Sequence, residues 1–424
     1  MNPSKKGWLS EYLDYRKQNF QQDLEFKKTK IGQDPEHSFY GIIQPTGLMY
    51  GYPVQVIRDL EKDAWSDKDR VKVLLINSLF DIATLYAERE VETAESFYDS
   101  MMDTILNINN FYEKVYPESS ISSTNWLGKK REPLQVAEQI IEKRVNMTVQ
   151  DNPNFWLDFF HRSQLFLDVY IFGQWSHTKP DEVLQEFFKS EKDELSYNAV
   201  KVMSAAAHSN KTIETEERAL FNHFIDSTGM PSEKKRVAKE YFEHGLGIQD
   251  IPIEQTDPWM IRKFFFELAL LTVWSDKKVE DSELDFLTSF NESLGFSPED
   301  LEKSMMAMEG FVLENWPHLE SLQDKKDFDQ VSHEYISRLS KVALKFKNRL
   351  QNEVSQDGDL VRLIKKGNAE TLSPEEQKEI KDKLLTILRN VPALSIIALP
   401  EQFLDYKNVL KVFPKEIISE VSMK

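Results

Sequence analysis

The 424-residue sequence predicts an all-α protein, a multi-helix array with an internal duplication and a C-terminal helical hairpin. Three observations lead there. Apolar residues recur at helical spacing along almost the whole chain, as in Val71, Leu74, Leu75, Leu79, Ile82 and Leu85, so that each set shares one face. Runs that alternate apolar and polar residues, the mark of a half-buried strand, are scarce. Proline follows a polar cap closely at Thr178 and Pro180, Thr256 and Pro258, Ser297 and Pro298, and Ser373 and Pro374. There its missing N–H costs least, and the acidic residues that follow meet the favourable end of a helix dipole.

Composition bounds the function classes. Hydrophobic residues make up 40% and aromatics 12%, enough to offset ordering entropy over two to three domains. The absence of cysteine excludes disulfides, thiolate nucleophiles, iron–sulfur clusters and cysteine-ligated zinc. A net charge of −18 disfavours global attraction to nucleic acid, and no DNA partner is expected. None of the eight histidines forms a His-Glu-x-x-His pair, and no P-loop, dinucleotide fingerprint or nucleophile elbow occurs. The expectation is a protein without catalytic residues and without a resident cofactor. Calcium or magnesium is the one ligand to consider.

Four segments follow in order: a helical N-terminal domain (1–190), a first repeat (195–250), a second (256–320) and a C-terminal region (326–424). The N-terminus has lysines followed by acidic and aromatic residues where a signal peptide needs an apolar stretch, so the protein is expected in the cytoplasm. Residues 31–55 are rich in Gly, Pro and aromatics and read as an ordered, packed loop, with a ligand-gripping loop as the sharper reading. Residues 155–175 are long and apolar enough to raise the question of a membrane span, but Asp158, His161, Arg162 and Asp168 make a buried helix the expectation.

Sliding the chain on itself by 66 residues aligns Ser209 with Ser275, Lys211 with Lys277, Glu214 with Glu280 and Glu217 with Glu283. The match continues through Phe224/Phe290, Ser227/Ser293, Gly229/Gly295 and Glu233/Glu299, eight identities in 25 where chance gives about one or two. Each copy reads as helix, polar turn, helix, glycine stop, helix. The pattern resembles the tellurite-resistance TerB-like helical module. That resemblance implies a divalent-cation site at Asp276, Glu280 and Glu283 of the second copy, while the first has Asn210 in place of the Asp. The same carboxylates also suit capping of helix starts.

Residues 331–350 place Tyr335, Ile336, Leu339, Val342, Ala343, Phe346 and Leu350 on one stripe of a helix and Arg338, Lys341, Lys345 and Arg349 on another. From 331 onward, 16 Lys and Arg face 13 Asp and Glu, a net of +3, while the first 330 residues carry −21. Such a helix suits an anionic membrane surface or an RNA backbone, and equally a dock on the acidic remainder of the same chain.

Beyond it, Arg389, Pro392, an apolar run to Pro400, and the block of Leu410, Lys411, Phe413 and Pro414 form the most specific pattern in the chain. It resembles the Letm family of mitochondrial inner-membrane proteins and their bacterial relatives, among them a biofilm-associated group. The resemblance covers about a fifth of the chain. It implies a scaffold or interaction protein whose tail contacts the inner-membrane surface, a ribosome or a protein partner. A divalent-cation-responsive stress module of TerB type is the alternative, and cation/proton exchange, as in the mitochondrial relatives, the third reading. Glu401, Asp405 and Lys407 interrupt any span in this region.

Overall fold

The computed structural model describes residues 1–21, 34–50, 65–86, 92–124, 129–148, 155–178, 182–209, 230–274, 281–316, 328–395 and 399–413, together with positions 218, 221, 222, 225, 397 and 417. Among the described residues the chain forms sixteen α-helices, two short 3-10 helices and no strand. The all-α expectation holds. The chain divides into two compact units, Met1–Gly295 and Phe296–Lys424, a division that falls inside the 256–320 segment.

The first unit contains α1 (Trp8–Gln18), α2 (Pro35–Ile43), α3 (Asp67–Tyr86), α4 (Ala94–Val115), α5 (Pro133–Thr148), α6 (Phe155–His177), α7 (Glu182–Ala207), α8 (Ser232–His244), α9 (Trp259–Trp274) and α10 (Asp281–Ser293). Helix α6 is central, packing on α3, α4, α5 and α7. Its buried Phe172 and Trp175 meet Phe111 of α4 edge-on at 5.4 and 5.8 Å, and Phe166 stacks on Phe264 of α9 at 4.4 Å. Offset and edge-on contacts at these distances suit aromatic quadrupoles while removing large apolar areas from water. Helix α7 carries α8 and α9, and α9 in turn meets α2 and α10. Gly295 closes α10 at φ +74, a left-handed stop of the kind the repeat pattern predicts.

Residues 34–50 differ from the packed loop expected. They form α2, continued by a 3-10 turn over Gln44–Thr46. Asp34 caps the helix by accepting from the N–H groups of Glu36 and His37, with Pro35 in the first turn. The aromatic and aliphatic residues that suggested packing are indeed buried, including Phe39, Tyr40, Ile43 and Tyr50.

The second unit contains α11 (Pro298–Asn315), α12 (Phe328–Lys345), α13 (Lys347–Gln356), α14 (Gly358–Ala369), α15 (Pro374–Arg389) and α16 (Tyr406–Val412). Ser297 and Ser373 form capping boxes with Asp300 and Glu376, each with proline in the first turn. The basic segment 331–350 is not one helix, because the chain breaks at Phe346 (φ −107, ψ 20) between α12 and α13. Helix α12 packs on α11 and α16, and α15 packs on α13, α14 and α16. Val391, Leu394, Ile397, Leu399 and Pro400 are buried, so this apolar run serves the core of its own unit.

Candidate functional site

Of the acidic turn, Asp276 and Glu280 lie outside the described residues. Glu283 occupies the first turn of α10 and is buried. No group of three or more His, Asp or Glu side chains is placed to hold a metal ion among the described residues.

The basic positions separate. Arg338 Nη1 donates to Glu302 Oε2 at 2.8 Å and its Nε lies 3.3 Å from Glu309 Oε1, both carboxylates being on α11. Lys345 lies 4.0 Å from Glu299 with both side chains exposed, and Arg349 pairs with Glu353 on α13. Lys341, Lys345 and Arg349 face solvent, and Leu344 between them is 58% exposed. Arg338 therefore belongs to an intramolecular cluster, whereas Lys341, Lys345 and Arg349 are exposed, the first two on α12 and the third on α13 beyond the break. Inside that cluster, burial pushes the Glu309 carboxyl up to about 7, outweighing the opposing pull of Arg338.

The C-terminal motif folds back on itself. Arg389, at the end of α15, pairs with Glu401 across the buried run. Leu410 is half-buried, Lys411 exposed and Phe413 buried, while Pro414 lies outside the described residues. Pro392 is exposed and Pro400 buried. Among the described residues no helix is long and apolar enough to cross a membrane.

Two buried polar clusters in the first unit carry no sequence motif. Tyr40 and Tyr50 donate to the two oxygens of Glu267 at 2.6 and 2.9 Å, and Lys263 lies 3.6 Å from the same carboxylate. Burial, reinforced by Glu267, pushes both phenols well above their ordinary range. Arg144 holds Asp168 through two bonds of 2.7 and 2.8 Å, and Tyr112 adds a third at 2.8 Å. Both clusters are buried and tie helices together, α2 to α9 in the first and α4, α5 and α6 in the second. For the first cluster, the signal available in sequence was the pairing of Lys263 and Glu267 four residues apart within a largely apolar helix.

The first unit also exposes apolar side chains at the start of α7, with Val183 77% and Phe187 54% accessible and Leu184 between them. Val183 and Phe187 are one turn apart and share a face.

No family model matches the chain, and no solved structure matches it. The co-chaperone protein DjlA of Vibrio vulnificus is 29% identical over 134 residues, 30% of this chain and 44% of that protein. DjlA of Aliivibrio fischeri is 30% identical over 125 residues, 27% of this chain and 44% of the relative. DjlA of Vibrio cholerae is 30% identical over 134 residues, 30% of this chain and again 44% of the relative. The chain thus spans less than half the length of the curated relatives it matches.

Proposed function

We propose that this chain is a helical scaffold that acts by binding another protein, a chaperone or a polypeptide that a chaperone handles. The observation that carries this reading is the similarity of some 134 residues to the DjlA co-chaperones. The exposed Val183, Leu184 and Phe187 supply a surface of suitable chemistry, since clustered apolar side chains on a soluble helix mark contact sites. Recovery of bound proteins from cells expressing the wild type or Phe187→Asp tests it. A chaperone or its client retained by the wild type and lost from the variant supports the reading. Equal recovery by both, or recovery by neither, overturns it.

A second reading follows the Letm-like tail, with Lys341, Lys345 and Arg349 contacting the inner-membrane surface or a ribosome. The exposure of these three residues beside Leu344 favours it. Liposome flotation and ribosome co-sedimentation distinguish the two surfaces, and a Lys341→Glu, Lys345→Glu chain that floats or sediments like wild type removes the reading. The cation-responsive alternative rests on Asp276, Glu280 and Glu283. Calorimetric titration with calcium or magnesium decides it, and absence of heat ends it.

A further inference from the structure

The outer face of α7 begins apolar and continues acidic. Val183, Phe187, Ser190 and Glu194 follow at helical spacing and all four are exposed, so they form one outward stripe over the first turns of the helix. More than half of Val183 and of Phe187 is accessible. The base beneath them is fixed, because Phe188 is buried, meets the Phe187 ring edge-on at 5.5 Å and is itself set edge-on against Trp175 of α6 at 5.5 Å. A partner that covers Phe187 therefore meets an aromatic on an ordered backbone, and little ordering cost opposes the contact.

The charge around this stripe is mainly of one sign. Residues 181–194 contain six Asp and Glu against two Lys. Of the two lysines, Lys192 is buried and lies 3.5 Å from Glu118, and Lys189 pairs with Glu186 at 3.3 Å. An exposed pair of this kind holds its members weakly, so the Glu186 carboxylate, one position from Phe187 and 76% accessible, keeps capacity for a second cation. The first unit as a whole carries a net −15. No strand occurs among the described residues, so they offer no sheet edge for strand addition. A helix surface with residues at i and i+4 is instead a ridge, and such ridges pack into the grooves of another helix.

We propose that the α7 stripe docks an amphipathic helix of a partner protein whose apolar residues are flanked by Lys or Arg. The apolar residues of that helix cover Val183 and Phe187, and its basic flank lies toward Glu186 and the acidic turns that follow. This rests on the reading that the α7 surface binds protein, and adds the chemistry of the partner. Basic residues speed and orient the approach, while burial of Phe187 holds the complex.

Two labelled peptides of about 18 residues, long enough to hold a helix once docked, share one Leu stripe and differ only in flanks of Lys or of Glu. Fluorescence anisotropy with the full chain is expected to show the Lys peptide binding about tenfold more tightly, a preference that fades in about 0.5 M salt. Phe187→Asp is expected to weaken the Lys peptide about tenfold although it adds a negative charge, and Glu186→Lys to weaken it severalfold. Equal binding of the two peptides, each lost in Phe187→Asp, overturns the basic partner and leaves protein binding at α7 standing. A Lys peptide held as tightly by Phe187→Asp as by wild type overturns the docking site, since diffuse attraction to an acidic surface then accounts for it. Binding of neither peptide also overturns the proposal, and the proteins recovered from cells still decide the broader reading.

Discussion

Tyr40 donates a 2.6 Å hydrogen bond to Glu267, a residue 227 positions further along the chain. Tyr50 takes the other oxygen of the same carboxylate, so a single side chain of α9 fastens both α2 and the turn that follows it. Tyr40→Phe removes one donor from a buried charge and is expected to lower stability by about 1–3 kcal/mol. Glu267→Ala deprives the buried Lys263 ammonium of its carboxylate and is expected to cost more, about 3–5 kcal/mol. Urea unfolding monitored by tryptophan fluorescence measures both, and wild-type midpoints would contradict the assignment.

The Glu309 carboxyl gives a pH signature of definite sign. Burial raises it from an ordinary 4.5 to about 7 in the folded state. Between these values the folded chain holds a proton that the unfolded chain has released. Stability therefore falls as pH rises from 4.5 through 7 and levels off above, by up to about 3 kcal/mol. Glu309→Gln is expected to remove that slope and to be the more stable chain at pH 8. Thermal melts of wild type and variant across pH 5–8 check this, and parallel profiles would refute it.

Gly310 is held small by a close approach. A Cβ there would stand 3.0 Å from Tyr335 Oη and 3.3 Å from Pro400 Cδ. Gly310→Ala is expected to cost about 1–3 kcal/mol through overpacking. The buried Tyr335 hydroxyl has no hydrogen-bond partner, so Tyr335→Phe is expected to be neutral or stabilising and to relieve the alanine variant in part. A double-mutant cycle reads this coupling, and strict additivity would contradict the contact.

Leu394 lies at the centre of the apolar run and is fully buried. Leu394→Ala is expected to lower the stability of the second unit by about 2–5 kcal/mol, as cavity formation does in a packed core. Hydrogen exchange resolves which unit loosens. A variant of unchanged stability would mean that the run faces solvent or lipid.

Local features of the fold were legible because each is written within a few residues. Ser297 with Pro298 and Ser373 with Pro374 start helices as their chemistry requires, and Gly295 ends one. The buried stripe of α12 follows its spacing, with Tyr335, Leu339 and Ala343 inside. Met305, Met306 and Met308, neighbours on α11, are buried in the core. The start of α2 is equally local, since Asp34 and Pro35 form the same cap signal, but the glycines and prolines of residues 31–55 favour a loop when spacing alone is considered. What sequence spacing does not carry is pairing at a distance. The basic character of Arg338 was visible, whereas its partners Glu302 and Glu309 are set by the packing of α12 on α11. The Tyr40–Glu267 contact likewise depends on how α2 meets α9.

The central claim, that the chain works by holding another protein, is tested most directly by photo-crosslinking in cells from a reactive side chain placed at position 187, with adducts identified by mass spectrometry. The account predicts adducts to a chaperone or to a chaperone's client, lost when Val183 is changed to Asp. Adducts confined to lipid or ribosomal components, or adducts unaffected by Val183→Asp, would contradict it.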